Sequence, residues 1–274
     1  MTFDTSAIEA ATKPLARFVR GAEKHFRILG ALIMREMATR FGRQGFGFLW
    51  LIGEPLIFCY GVIALWSITK PPYEHGVRVA PFVMTGYMCL IVVRHMISQL
   101  TSGIQANKGM LYHRQIQPTH ILLARVILEM GGNTIALAVV YISLIIVGQV
   151  TLPHDYILLY SGWLLFALNG IGIALILAGL MMFFEIFERL NQLIGYLMIP
   201  LSGAFFMVAW LPEAVRPIYL MVPMVHGVEM LRAGVFGDAV KTYYNWFYPM
   251  AMGSGMTIIG LLMISAARDR VDAE

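Results

Sequence analysis

The chain has 274 residues, of which 58% are hydrophobic and only 13% are charged, and its formal net charge is +4. Soluble domains carry about 25% charged residues, so this composition excludes an ordinary soluble domain and is typical of a membrane protein. The modest net charge predicts no nucleic-acid partner. Cys59 and Cys89 lie within apolar runs, where cysteines behave as small hydrophobic residues, so we expect neither a disulfide nor a metal site.

The N-terminal segment predicts a basic amphipathic helix. Apolar residues recur at spacings of three and four from Leu15 to Met37, and basic residues occupy the opposite face. Pro14 is expected to begin this helix and Gly42 to end it. We expect residues 1–47 to form a cytoplasmic N-terminus whose helix lies in the membrane interface, with its cations against lipid headgroups. Both a plain anchor and a gate at the cytoplasmic mouth of a path fit this pattern.

Six apolar runs follow, and each is long enough to cross a bilayer, which takes about 20 residues. They cover residues 48–69, 81–104, 121–148, 157–184, 193–211 and 246–267. The sequence therefore predicts an all-α integral membrane protein with six transmembrane helices, a membrane domain over 48–267 and a tail over 268–274. The segment 212–245 is apolar but is broken by Pro217 and Pro223, so we expect short re-entrant helices there.

The basic residues predict the orientation. Fourteen of the twenty Lys and Arg residues lie on the side that holds both termini and the loops 105–120 and 185–192, and five lie on the other side. The positive-inside rule then places both termini in the cytoplasm, which requires an even number of spans. The first apolar run begins near Phe48, too late for a cleavable signal peptide.

The sequence offers no catalytic motif of a familiar kind. It contains no G-x-x-x-x-G-K-[ST] phosphate loop, no H-E-x-x-H and no C-x-x-C. We therefore expect no enzyme and no cofactor in this chain, and an energy source in another subunit or a gradient.

Ionisable residues inside the predicted spans are candidates for function because charge is costly in a bilayer. Glu54 directly precedes Pro55 in the first run, and Arg94 lies past the middle of the second. Arg94 is expected either to face a polar path or to pair with a carboxylate such as Glu54. Arg125 and Glu129 stand four residues apart and are expected to neutralise each other.

Three motifs resemble the permeases of type-2 ABC exporters, specifically the capsule polysaccharide branch. Residues 35–43, running into Gly47-Phe48-Leu49-Trp50 and Glu54-Pro55, resemble the family's opening segment. Residues 106–111 with Pro118, Ala124-Arg125 and Leu128-Glu129 are similar to its first cytoplasmic loop. A periplasmic re-entrant motif is matched by Pro223, His226, Glu229 and Arg232, although the family usually has Asn where this chain has Val222.

The resemblance implies a homodimeric permease in the bacterial inner membrane that exports a lipid-linked acidic polysaccharide. Two separate ATPase subunits would bind ATP and Mg, and a periplasmic adaptor or co-polymerase and an outer-membrane export protein would continue the path. The expected path residues are Arg40, Arg43, Trp50, Glu54 and Arg94. The expected contacts with the ATPase are Asn107, Lys108, Met110, Leu111, Tyr112 and Arg114. Related permeases for O-antigen, teichoic acid or a small hydrophobic substrate, and an integral-membrane transferase, are the alternatives.

Overall fold

The computed structural model describes residues 5–41, 47–106 and 117–271. In the described part of the chain the helices are α1 (Thr5–Phe41), α2 (Gly47–Thr69), α3 (Val79–Ala106), α4 (Pro118–Ile146), α5 (Tyr156–Phe183), α6 (Ile186–Leu201), α7 (Arg216–Tyr219), α8 (Pro223–Phe236) and α9 (Phe247–Val271). An antiparallel hairpin of β1 (Tyr73–Glu74) and β2 (Val77–Arg78) joins α2 to α3.

Five of these helices are long and apolar enough to cross a membrane. They contain the segments Leu49–Thr69, Val79–Gly103, Pro118–Ile146, Tyr156–Phe183 and Phe247–Ala267. These five segments confirm five of the six apolar runs as helices. The predicted bounds agree with the observed ones to within a few residues. A segment in the bilayer must satisfy its own backbone hydrogen bonds, so the helix extends over the whole apolar run.

The predicted run 193–211 differs from the others. Its helix, α6, begins earlier, at Ile186, and ends at Leu201, so the expectation of a continuous helix to residue 211 is wrong. Pro200 removes a backbone donor from the last turn. Gly203 then adopts a positive φ of 76° directly after the C-cap Ser202, which is the usual way a glycine ends a helix.

The N-terminal helix is also longer than predicted. It begins at Thr5, so the prediction that Pro14 begins it is wrong, while its end at Phe41 agrees with the expected end at Gly42. A proline inside a helix removes one hydrogen bond and crowds one carbonyl, and a helix of 37 residues retains most of its other backbone bonds.

The core is built around α5, which packs against α9, α8 and α3. Glycines bring α5 and α9 into close contact: a Cβ on Gly260 would lie 2.6 Å from Leu175 Cβ, and one on Gly172 would lie 2.8 Å from Met256 Cβ. Close approach of this kind lets helix backbones pack tightly where no water drives them together. The neighbouring α3 is the most enclosed spanning helix, with 83% of its spanning window buried, compared with 17% for α2.

Candidate functional site

Ion pairs connect α1 to α4 within the bundle. Arg40 donates from Nε to Glu36 Oε2 at 3.1 Å and from Nη1 to Glu129 Oε1 at 2.6 Å. Arg125 Nε lies 3.1 Å from the same Glu36 oxygen. The expected direct ion pair of Arg125 with Glu129 is therefore wrong: Arg125 pairs with Glu36 and Glu129 pairs with Arg40, although Glu129 still acts electrostatically on Arg125. Sequence spacing reveals only neighbours on one helix, whereas both guanidinium groups extend to carboxylates across the helix interface.

The packing of α1 against α4 explains this arrangement. Leu32 on α1 packs with Ile121 and Ala124 on α4, and His25 Nδ1 lies 2.8 Å from His120 Nε2. The two helices therefore run alongside each other in the same direction. Residues spaced four apart on each helix share a face, which places the acidic and basic side chains of the two helices opposite one another.

His95 on α3 extends the chain of ion pairs to α2. Its Nδ1 lies 3.3 Å from Glu129 Oε2, and its Nε2 lies 3.7 Å from Glu54 Oε1. The negative charge of two carboxylates on opposite sides of the ring favours the imidazolium, which can direct an N–H toward each of them. The network has three carboxylates, and a protonated His95 together with Arg40 and Arg125 balances their negative charge. Four helices are thereby joined by one nearly neutral polar cluster.

Arg94 differs from its neighbour His95 because it points away from the bundle. It is exposed and, within the described part of the chain, makes no hydrogen bond or ion pair. Ser98 and Ser102 follow at spacings of four and are also exposed, so they continue a polar stripe along the C-terminal half of α3. Glu54 lies near enough for Arg94 to act on it electrostatically. Within residues 79–103, where the burial of α3 is described, these three residues are the exposed ones, so the stripe is the open face of this part of the helix.

The structure brings some of the predicted path residues together and not others. Trp50 is 57% exposed and lies one turn before Glu54 on α2, and both Trp50 and Arg94 act on the Glu54 carboxylate. Arg40 has a side chain only 15% exposed and is engaged in the ion pairs with α1 and α4. Arg43 lies outside the residues whose side chains the structure describes, as do the predicted ATPase contacts at 107–114.

The motif on α8 fastens irregular backbone rather than forming an open site. Arg232 is fully buried and donates to three carbonyls, those of Gly203 at 3.0 Å, Ala204 at 2.8 Å and Phe206 at 2.9 Å. These carbonyls belong to the chain that follows α6 and has left the helix. A guanidinium with five donors satisfies several such acceptors at once.

Two further residues of the motif hold the neighbouring segments. Glu229 accepts from the backbone N–H groups of Val208 at 3.3 Å and Tyr243 at 3.0 Å. His226 donates from Nε2 to the Leu220 carbonyl at 2.8 Å and accepts at Nδ1 from Asn245 N–H at 3.0 Å. Burial lowers the pKa of His226, which agrees with a neutral ring that uses both nitrogens. The fourth residue, Pro223, begins α8.

The sequence interpretation did not assign a role to Glu36 or His95. The signal for Glu36 was its four-residue spacing from Arg40, and the signal for His95 was its position beside a charged residue inside a span. Among the described residues, no group of three or more His, Cys, Asp or Glu side chains is arranged to hold a metal ion.

Comparison with known proteins shows which family this chain resembles. Residues 27–236 match the family model described as ABC-2 type transporter. The chain is 37% identical over 239 residues to the capsule polysaccharide export inner-membrane protein CtrC of Neisseria meningitidis serogroup A, with 87% of this chain and 90% of CtrC covered. It is 34% identical to BexB of Haemophilus influenzae, which has the same descriptive name and the same coverage. It is 26% identical to the polysialic acid transport protein KpsM of Escherichia coli, with 85% and 90% covered. The chain therefore belongs to the ABC-2 type transporter family.

Proposed function

We propose that this chain is the membrane-spanning permease subunit of an ATP-driven exporter that moves a lipid-linked capsular polysaccharide across the bacterial inner membrane. The family match over most of the chain and the names of CtrC, BexB and KpsM support this proposal. The chain acts as a transport subunit, and a separate ATPase binds ATP and Mg and hydrolyses the nucleotide.

The main observation in support of a polar transport path is the exposed stripe of Arg94, Ser98 and Ser102 on α3. A guanidinium in the middle of a spanning helix is costly against hydrocarbon unless it meets water, an anion or another polar surface. Protein interiors are close-packed, so a polymer cannot thread a single protomer without displacing its core. We infer that this face lines a polar path between two copies of the chain, where a cation attracts the acidic groups of the polymer.

The other predicted residues take places around this path. Trp50 and Glu54 lie beside Arg94 and offer a sugar an aromatic face and a hydrogen-bond acceptor. Arg40 positions the end of α1 through its ion pairs, and Arg43 follows at the cytoplasmic mouth. The segment 107–117 docks the ATPase, with Leu111 and Tyr112 as its apolar anchor.

The proposed topology has six crossings and both termini in the cytoplasm. The helix α6 has 16 residues, a length of about 24 Å, which is shorter than the bilayer core of about 30 Å. In this topology α6 and the irregular chain after it complete the fifth crossing together. Segment 212–245 re-enters from the periplasmic side, where an adaptor and an outer-membrane protein receive the polymer.

The test compares Arg94→Ala and Arg94→Lys with the exposed control Lys241→Ala. Permease level, co-purification of the ATPase and acidic polysaccharide at the cell surface are measured in each strain. Normal assembly with lost export in Arg94→Ala, and retained export in the Lys variant and the control, supports a path role. Normal export in Arg94→Ala refutes it. Loss of the folded protein that Glu54→Gln restores would instead assign Arg94 to a structural pair.

A further inference from the structure

We propose that His95 is a positioning residue of this path, which holds the Glu54 carboxylate and thereby leaves Arg94 free to bind acidic groups of the polymer. The inference rests on the proposed function, because it assumes that Arg94 faces the substrate. It assigns to His95 a task that neither the motifs nor the names of the relatives suggest.

The two neighbours point to different sides of α3. Successive residues of an α-helix are about 100° apart around its axis. Arg94 is exposed, whereas His95 is only 19% exposed and turns toward α2 and α4. His95 therefore lies between the exposed face of α3 and the buried ion pairs. From this position His95 can change which charged groups surround Arg94.

The two carboxylates that flank His95 differ in mobility. Glu129 is 2% exposed and is also held by Arg40 at 2.6 Å, so it is a fixed anchor. Glu54 is 39% exposed and has room to change its rotamer. An imidazolium that is anchored on Glu129 can hold Glu54 toward the bundle, and the Trp50 indole assists from the same helix.

Glu54 has a second cation nearby: Arg94 directly precedes His95, whose ring lies 3.7 Å from Glu54 Oε1, and its charge also acts on Glu54. A partly desolvated carboxylate that loses its cationic partner is drawn to the nearest remaining positive charge. Without His95, Glu54 would therefore turn to Arg94 and neutralise it. Acidic sugars would then compete with an internal carboxylate for the same guanidinium, and export would fall although the fold and the ATPase contact are unchanged.

The test is a suppression experiment with His95→Gln, Glu54→Gln and the double variant. Glutamine keeps the polarity of residue 95 but carries no charge. At matched permease levels, acidic polysaccharide on the cell surface is measured with a cationic dye. His95→Gln should lower export about fivefold, which is the effect of a partly exposed ion pair worth about 1 kcal/mol. The double variant should recover to the level of the Glu54→Gln single variant, because the competing carboxylate is gone.

Full export in His95→Gln, or a double variant as poor as His95→Gln, overturns the inference. If His95→Gln fails to accumulate, His95→Lys replaces it in the comparison. Lysine retains a cation that can hold Glu54, so it must support export, and lost export at a normal permease level also overturns the inference.

Arg94→Ala separates this inference from the proposed function. Normal export in Arg94→Ala defeats the proposed path itself, and the inference with it. Lost export in Arg94→Ala together with no suppression by Glu54→Gln defeats the role of His95 alone.

Discussion

Replacing Arg232 with alanine should destabilise the protein more than truncating a partly exposed arginine such as Arg216. The substitution leaves the carbonyls of Gly203, Ala204 and Phe206 without their donor. Hydrogen bonds within membrane bundles average about 0.6 kcal/mol each, so three of them set a lower bound of about 2 kcal/mol. Removing one partner of a buried ion pair costs about 3–5 kcal/mol, and Arg232 lies 3.8 Å from the buried Glu229.

We therefore expect Arg232→Ala to lower the free energy of unfolding by about 2–5 kcal/mol, a large part of a total of about 5–15 kcal/mol. Thermal unfolding in mild detergent, followed by tryptophan fluorescence, measures the loss as a drop in Tm of about 5 °C or more.

Arg216→Ala is the matched control. Its side chain also donates to backbone carbonyls, those of Leu211 and Ala209, but it is partly exposed, so water can replace the lost bonds. Its Tm should fall by less than that of Arg232→Ala. Equal Tm values for Arg232→Ala and the wild type would refute the account of Arg232 as the clamp of this segment.

Three further predictions follow from packing, pH and topology. Gly260→Ala should lower the Tm because the new Cβ meets the backbone of α5, at a cost of about 1–3 kcal/mol. The control Gly255→Ala has open space around the new Cβ and should leave the Tm unchanged. Equal effects of the two substitutions would contradict the close packing of α9. Because the folded pKa of His226 lies below the unfolded value, its stabilising effect is fully present above the ordinary pKa and declines as the pH falls below that value. His226→Gln should therefore flatten the fall in Tm between about pH 7 and pH 5, and an unchanged slope would exclude this role. Membrane-impermeant thiol reagents should label His75→Cys but not Gln192→Cys in intact spheroplasts, and labelling of both would refute the topology.

The spanning helices were predictable because they follow from a local rule. A run of about 20 apolar residues must form a helix in a bilayer, and no distant contact is needed to decide this. Residues 202–211 are equally apolar, but the helix ends at Leu201 and the chain turns at Gly203. Three of their carbonyls accept from Arg232 on a helix that comes later in the chain, and a hydropathy average contains no information about such a distant partner.

The ion-pair network was predictable only in part. The charged residues inside the spans were identified as candidates, but their partners depend on how α1 lies against α4. That alignment is set by Leu32 packing against Ile121 and Ala124, contacts between residues far apart in sequence. Spacing alone paired Arg125 with Glu129, because it ranks the nearest neighbour on the same helix above a partner on another helix.

The dependence of residues 202–211 on Arg232 has a consequence for biogenesis. The carbonyls of Gly203, Ala204 and Phe206 accept from Arg232, and this donor is synthesised some 26 to 29 residues later. During membrane insertion the segment must therefore remain in the translocation machinery, or in water, until α8 has emerged from the ribosome. Residues 186–236 should then partition into the bilayer as one unit, so that a nascent chain arrested before α8 is a substrate for quality-control proteolysis, while one arrested after α8 is retained.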